Sequence, residues 1–130
     1  MWSEYEGNWL AVSDLYQDGE GLGGLITNST SISLFLKDQL QESSRIINKE
    51  TKALLYQPQT NAKGKVIPMT LGWHVGDAEG VRYFFKEGMG AGFHCEMRVY
   101  PKQEIASVII VNKMFFKTKK NLNIMDREFY

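Results

Sequence analysis

The amino-acid sequence predicts an α+β fold with two helices, an antiparallel four-stranded meander sheet and a C-terminal helix. Three observations lead to this prediction. Apolar residues recur with helical spacing before residue 58, the spacing changes to two from residue 68, and a helical pattern returns after residue 113. Short turns join the period-two segments, so consecutive strands are expected to be neighbours in the sheet. A length of 130 residues suits a single domain, 1–130.

The first helix is predicted over roughly Ser29–Gln41, where apolar residues follow a helical period. Thr27 or Asn28 is expected to cap it, because a short side-chain oxygen can accept a free first-turn N–H. Residues 1–20 are expected to be irregular apart from a short strand at Trp9–Val12.

A second, shorter helix is predicted over Lys49–Tyr56, with Asn48 as its N-cap and Pro58 ending it. Four strands follow, in the segments "PMTLGWHVG", "VRYFFKEG", "GFHCEMRVY" and "IASVIIVN". In the first of them, Met69, Leu71, Trp73 and Val75 are expected to share one face. The last is apolar on both faces, which is typical of a strand covered on both sides.

The C-terminal helix is predicted from Phe115, Phe116, Leu122 and Met125 in "MFFKTKKNLNIMDREFY". The same segment holds the basic cluster and the mixed charges that follow it: Lys117, Lys119, Lys120, Asp126, Arg127 and Glu128. Such a mixed run is typical of a solvated helix face.

Composition excludes several classes of function. The formal net charge is +0, which removes the electrostatic footprint of a nucleic-acid binder. No stretch approaches the roughly 18 apolar residues of a membrane span, and the first ten residues lack the pattern of a secretory signal, so a cytoplasmic location is expected for the chain as given. Cys95 is the single cysteine, so neither an internal disulfide nor a multi-thiolate zinc site is predicted, and no cofactor is expected.

The stretch "FFKEGMGAGFHCEMRVYP", residues 84–101, holds the candidate site. Lys86 precedes a glycine-rich segment, and two interpretations of it stand side by side: a catalytic cation, or an edge-strand lysine that deters aggregation. Gly88, Gly90 and Gly92 similarly fit either an anion-binding nest of backbone N–H groups or a plain hairpin loop.

His74, His94 and Cys95 are the candidate metal ligands, but no metal site is predicted. Adjacent strand residues point to opposite faces, so His94 and Cys95 do not readily share an ion. Cys95 is interpreted as a small core residue rather than a nucleophile. Glu96 and Arg98 share a face and are expected to form an exposed pair, worth at most ~1 kcal/mol.

The order of four segments resembles the C-terminal part of the penicillin-binding-protein and serine β-lactamase family, nearest its class C and esterase-like branch. These segments are "GLGGLITNSTSISLFL", "LGWHVG", "FKEGMGAGFHCEMRVYP" and "IASVIIVN". The resemblance covers roughly residues 5 to 125. It implies a partial β-lactamase/transpeptidase-like fold, in which an antiparallel sheet is flanked by helices and a second, helical domain accompanies it.

The resemblance also implies a set of site residues. Lys86, Glu87 and Gly88 would stand at the family's third active-site motif, where Lys86 would supply positive charge near the nucleophile and the substrate carboxylate. The backbone N–H of Met89 would supply half of an oxyanion hole, a fixed donor aimed at the developing negative charge. Glu87 departs from the usual Thr or Ser, so the family's hydroxyl contact to a substrate carboxylate is not expected.

The family's nucleophile motif is absent from the sequence. The family acylates the Ser of a Ser-x-x-Lys motif, assisted by Tyr-x-Asn or Ser-x-Asn, and a hydroxyl without an adjacent base stays inert. No Ser has a Lys three residues later, and no Tyr has an Asn two residues later. The serines are Ser3, Ser13, Ser29, Ser31, Ser33, Ser43, Ser44 and Ser107.

Three interpretations of function follow. In the first, the chain is a truncated serine-hydrolase domain without hydrolysis of its own, or half of a two-chain serine hydrolase of the β-lactamase, esterase or peptidase type. In the second, the remnant cleft binds a small-molecule carboxylate; its residues would be Lys86, Gly88, Met89, Gly90 and Trp73. In the third, the apolar edge of the strand at residues 104–112 pairs with a partner chain or with a second copy in a homo-oligomer.

Overall fold

The computed structural model describes residues 2–11, 23, 25–90 and 92–130. Its elements are β1 (Trp2–Tyr5), β2 (Asn8–Ala11), α1 (Ser29–Leu40), α2 (Lys49–Leu55), β3 (His74–Ala78), β4 (Val81–Gly90), β5 (Phe93–Tyr100), β6 (Ile105–Val111), α3 (Thr118–Asp126) and a final 3₁₀ turn, Arg127–Phe129. The α+β prediction is therefore confirmed, with three α-helices and a four-stranded antiparallel sheet among the described residues.

The N-terminal segment contains a hairpin where mostly irregular structure was predicted. β1 and β2 pair antiparallel from Trp2↔Ala11 to Tyr5↔Asn8. Glu6 and Gly7 form the turn with φ of 49° and 78°, and two successive positive φ angles suit a tight hairpin turn. The predicted strand at Trp9–Val12 overlaps β2, and its last residue lies outside the described part of the chain.

Both helices before the sheet start at the predicted asparagine caps. Asn28 Oδ1 accepts a hydrogen bond from Ser31 N at 2.9 Å, and Asn48 Oδ1 accepts one from Thr51 N at 2.8 Å. Each bond satisfies one of the free N–H groups of a first turn. Asn28, and not Thr27, is the cap of α1.

The sheet is a meander with the strand order β3-β4-β5-β6, and every neighbouring pair is antiparallel. Asp77 Oδ1 accepts from Gly80 N at 2.9 Å in the turn between β3 and β4, where Glu79 and Gly80 both have positive φ. Local turn chemistry therefore sets the order of the strands, as predicted.

The strand predicted from Pro68 onward begins later, at His74. Thr70 N donates to Trp73 O at 2.8 Å, and Gly72 has φ of +92°, so residues 70–73 form a tight turn rather than an extended strand. The turn breaks the period-two pattern: Leu71 is exposed, whereas Trp73 is buried. The predicted common face of residues 69, 71, 73 and 75 is therefore wrong.

One face of the sheet packs against α1 and α2. The buried residues of this core are Ile32, Leu36, Trp73, Phe84 and Val99. Trp73 stacks with Phe35 at 6.4 Å and with Tyr56 at 6.0 Å between ring centroids. We call this side of the sheet the α1/α2 face.

The opposite side carries an aromatic cluster, and we call it the α3 face because α3 contacts β5 and β6 there. Tyr83 and Tyr100 are fully buried, with ring centroids 5.2 Å apart. A Cβ at position 76 would lie 2.6 Å from Cε2 of Tyr83, so the glycine there is required by the close approach of the ring.

The pair Glu96 and Arg98 lies in the interior, which corrects the prediction that it is exposed. Glu96 is 2% exposed and Arg98 is 0% exposed. Arg98 Nε donates to Glu96 Oε1 at 2.6 Å, so the pairing itself is present. The sequence pattern suggested a solvated polar face, but α3 covers this face of β5.

α3 supplies polar partners to the same network. Arg98 Nη1 donates to Asn123 Oδ1 at 2.7 Å, and Arg98 Nη2 donates to the carbonyl oxygen of Lys119 at 3.1 Å. Asp126 is 2% exposed, and its Oδ2 accepts from Tyr100 Oη at 2.7 Å and from Ser107 Oγ at 3.1 Å. The interpretation of Asp126 as part of a solvated helix face is therefore wrong.

Among the described residues, no helix is both long enough and apolar enough to cross a membrane.

Candidate functional site

The candidate motif lies on a part of β4 that has a strand on one side only. The pairing of β3 with β4 ends at His74↔Phe85, whereas the pairing of β4 with β5 continues to Gly90↔Phe93. Within the described part of the chain, Lys86–Gly90 therefore leaves one backbone edge without a strand partner. We call Lys86–Gly90 the open segment of β4.

Lys86 lies on the α1/α2 face of the sheet, where its register partner is Met97. Its side chain is exposed, and no hydrogen bond or ion pair involves it within the described residues. An exposed ammonium at the start of the open segment remains accessible to an anionic group of a ligand.

Glu87 points to the α3 face and not toward Lys86. Its Oε1 lies 2.6 Å from Nε2 of His94, whose own side chain is 8% exposed. Successive strand side chains alternate between faces, so Glu87 and Lys86 lie on opposite sides of the sheet. The Glu87 carboxylate is thus held away from Lys86. It also offers no hydroxyl group of the kind that the Thr or Ser of the resembling family would supply at this position.

The glycines of the motif lie in β4 itself, with only Gly92 in the turn, where its φ is +82°. The simple hairpin-loop interpretation therefore holds for Gly92 and not for Gly88 or Gly90. A Cβ at position 90 would lie 2.8 Å from Cζ of Phe93, so the cross-strand ring requires a glycine. The carbonyl of Gly88 accepts a weak bond from Cys95 Sγ at 3.4 Å.

Met89 has an exposed side chain and belongs to the unpartnered edge of the open segment. Trp73, predicted to frame the same site, is 4% exposed and packs between Phe35 and Tyr56. The structure thus brings together Lys86, Gly88, Met89 and Gly90 in one strand, whereas Trp73 contributes to the core.

The candidate metal ligands do not assemble. No group of three His, Cys, Asp or Glu side chains suited to a metal ion occurs in the described residues. Cys95 is half-buried, and burial raises the pKa of its thiol. A raised pKa disfavours the thiolate, which is the reactive form, so the geometry supports the interpretation of Cys95 as a packing residue.

Where the serine hydroxyl groups of the described residues donate hydrogen bonds, the acceptors are a backbone carbonyl and two aspartate carboxylates. Ser33 Oγ donates to the carbonyl oxygen of Ser29 at 2.8 Å. Ser44 Oγ donates to Asp38, and Ser107 Oγ donates to Asp126 at 3.1 Å. In none of these pairs does a lysine or histidine stand as the base that a nucleophilic hydroxyl requires.

The sequence did not reveal the buried network around Arg98 or a cavity at the start of α3. That cavity has a volume of about 590 Å³ and lies against Glu87 and the first turn of α3. The sequence signal that could have indicated the cavity was the cluster of lysines in "FFKTKKN", which was interpreted as part of a solvated helix face.

The family model described as Beta-lactamase matches residues 2–128. No curated protein and no solved structure matches the chain.

Proposed function

This chain belongs to the Beta-lactamase family, and from that membership we propose that it carries part of a serine-hydrolase site without hydrolytic activity of its own. The observation that carries the proposal is the open segment of β4. It presents an exposed cation and a free backbone edge in the same strand, while the 130 residues contain no Ser-x-x-Lys motif.

In this proposal Lys86 and Met89 have separate roles. The Lys86 ammonium provides positive charge for a substrate carboxylate or a nucleophile. The Met89 N–H is the backbone donor for an oxyanion, which a fixed donor stabilises strongly in a site that excludes water. Neither group forms a covalent bond, so these residues alone bind and polarise but do not acylate. A nucleophilic hydroxyl from outside these 130 residues would complete the reaction.

The hydrolysis test uses the 130-residue chain with nitrocefin and p-nitrophenyl acetate as substrates. We expect no turnover above that of a Lys86→Ala variant, and no adduct in intact-mass spectra after treatment with a fluorophosphonate. The variant is a suitable control because Lys86 is exposed and its removal leaves the core intact. Turnover that a serine-reactive inhibitor abolishes, or a fluorophosphonate adduct on any serine, would contradict the proposal.

We further propose that the chain self-associates through β6. This strand is at the edge of the sheet, and residues Ile105–Val111 carry no charge. An antiparallel pairing with a second copy about a twofold axis at Val108 places only uncharged residues opposite one another. Such a pairing joins two four-stranded sheets and satisfies the edge N–H and C=O groups of both copies.

Light scattering coupled to size exclusion tests the assembly. We expect a dimer whose dissociation constant rises with Ile110→Lys, because that substitution places a charged side chain opposite Ala106 of the second copy in an otherwise uncharged strand pair. Leu54→Lys on α2 is the matched control, since Leu54 is similarly exposed but lies away from β6. A monomer at high concentration, or equal weakening by both variants, would refute the assignment of β6. A complex with a different chain would replace self-association by a hetero-assembly.

A second candidate function is favoured by the exposed Lys86 beside the free backbone edge. Small carboxylates would bind the ammonium and the edge N–H groups of the segment that includes Gly88, Met89 and Gly90. Trp73 is buried and does not contribute to this version of the site. Thermal-shift measurements with millimolar acetate and benzoate test it: a shift that Lys86→Ala abolishes supports carboxylate binding, and no shift opposes it.

A further inference from the structure

The cavity at the start of α3 lies on the opposite side of the sheet from Lys86. It is largely open to solvent, and its volume of about 590 Å³ is in the usual range for small-molecule sites. The wall combines Glu79 and Glu87 of the sheet side with the segment that enters α3, its first turn and the later residues Asn123, Ile124 and Arg127. The cavity shares Glu87 with the open segment of β4 but lies on the face opposite Lys86, so it is separate from the proposed hydrolase chemistry.

Positive charge predominates around the cavity. Four cationic residues line it: Lys117, Lys119, Lys120 and Arg127. The two lining carboxylates already have partners, because Glu79 pairs with Arg127 at 3.3 Å and Glu87 pairs with His94 at 2.6 Å. No carboxylate within the described residues pairs with the three lysines, so they remain free to attract an anion.

The first turn of α3 adds backbone donors to the same place. Lys117 is the N-cap residue but makes no capping hydrogen bond with its side chain, and the first turn has no acidic residue. Thr118 N donates to the carbonyl oxygen of Phe116, and Asn121 N donates to that of Lys117. The N–H groups of Lys119 and Lys120 lie between these two and have no backbone acceptor in the described structure. Free first-turn N–H groups and the helix dipole both favour an anion.

Thr118 supplies an independent indication. Its residue is 2% exposed, it lines the cavity, and its hydroxyl has no hydrogen-bond partner within the part of the chain that the structure describes. The hydroxyl oxygen is not one of the fully buried atoms that lack a partner among the described residues, so it reaches the cavity and is available to donate to a ligand atom there. An anionic oxygen at this position would accept from Thr118 and from the neighbouring N–H groups together.

We propose that this cavity binds a small organic phosphate monoester. The phosphate group occupies the space between the first turn of α3, the Thr118 hydroxyl and the lysine side chains. Phe116 and Ile124 form an apolar part of the wall, which suits the organic portion of the ligand. A phosphate matches the donors because it offers several strong acceptor oxygens and a double negative charge near neutral pH.

Calorimetric titration of the 130-residue chain with phenyl phosphate and with inorganic phosphate tests the site. We expect phenyl phosphate to bind, and to bind more tightly than inorganic phosphate because its ring contacts the apolar wall. Lys120→Gln and Thr118→Val should each weaken binding by about tenfold, whereas Thr118→Ser keeps the hydroxyl and should retain affinity. Lys63→Gln is the matched control, since Lys63 is an exposed lysine in a loop that does not line the cavity.

Absence of binding at millimolar phenyl phosphate would overturn the proposal. Equal affinity for the two probes would overturn the assignment of an organic ligand, and equal weakening by Lys120→Gln and Lys63→Gln would overturn the location of the site. Circular dichroism of every variant establishes that a lost interaction is not lost folding, and Lys120→Gln keeps the test decisive if Thr118→Val does not fold.

Discussion

Arg98 links the sheet to the C-terminal helix. Its guanidinium is fully buried and donates to Glu96 and Tyr100 on β5, and to Asn123 and Asp126 on α3. It also lies 4.4 Å from the ring centroid of Tyr83. The buried guanidinium of Arg98 is therefore the cation that compensates the negative charges of the Glu96 and Asp126 carboxylates.

Arg98→Met is expected to destabilise the fold by about 3–5 kcal/mol, because it leaves the carboxylates of Glu96 and Asp126 buried without their cation. Urea unfolding followed by circular dichroism measures the change in the free energy of unfolding. Arg127→Met is the matched control: its pair with Glu79 is exposed, and its loss is expected to cost at most about 1 kcal/mol. Equal losses in the two variants would show that burial of the network contributes little.

At the level of elements, the unequal lengths of β3 and β4 create the candidate site. β3 has five residues and β4 has ten, so β4 continues beyond the last paired residue of β3. The turn at Gly72 is what delays the start of β3 to His74. The exposed position of Lys86 therefore depends on a turn that lies thirteen or more residues earlier in the sequence.

The asparagine caps of the two helices before the sheet are expected to contribute measurably to the free energy of unfolding. Asn28→Ala removes the acceptor for Ser31 N and is expected to lower the free energy of unfolding by about 1 kcal/mol. Asn28→Ser keeps a capping oxygen and is expected to stay within a few tenths of a kcal/mol of the parent. Chemical denaturation of the three proteins decides the matter; a Ser variant as weak as the Ala variant would show that the cap does not contribute.

For the molecule as a whole, aromatic residues connect both faces of the sheet to their helices. Tyr56 packs on Trp73 and Phe84 on one side. On the other side Tyr100 packs on Tyr83 and donates a hydrogen bond to Asp126 of α3. Burial raises the pKa of the hydroxyl groups of Tyr56, Tyr83 and Tyr100. Both cores therefore contain groups that resist ionisation in the folded state.

The raised pKa values predict loss of stability in alkali. In the unfolded chain a tyrosine ionises near about pH 10, and its folded-state pKa lies higher. The stabilisation is therefore complete below about pH 10 and falls as the pH rises toward the folded-state pKa, since the unfolded state loses its protons first. Urea unfolding between about pH 8 and about pH 11 measures this loss.

Tyr83→Phe is the control for the alkaline prediction. Its hydroxyl is buried without a hydrogen-bond partner among the described residues, so the variant is expected to be at least as stable as the parent at neutral pH. It also removes one ionising group, so its stability should fall less steeply in alkali. An identical pH dependence in parent and variant would exclude Tyr83 as a contributor.

Local patterns in the sequence were enough to predict the helices, Asn48 as one cap and Asn28 as one of two candidates for the other, the meander, and the place of Lys86 before a glycine-rich segment. These features depend on the period of apolar residues and on turn chemistry, which act over a few neighbouring positions. The Beta-lactamase family, inferred from the order of four short segments, is confirmed by the match over residues 2–128.

Long-range packing determined the remaining features. α3 lies on the side of β5 that carries Glu96 and Arg98, so residues with the pattern of a solvated face became a buried network. The same packing sets the wall of the cavity beside Thr118 and leaves β6 at the sheet edge. A hydrophobicity pattern records the polarity of a side chain, whereas its burial depends on which distant element supplies its hydrogen-bond partners.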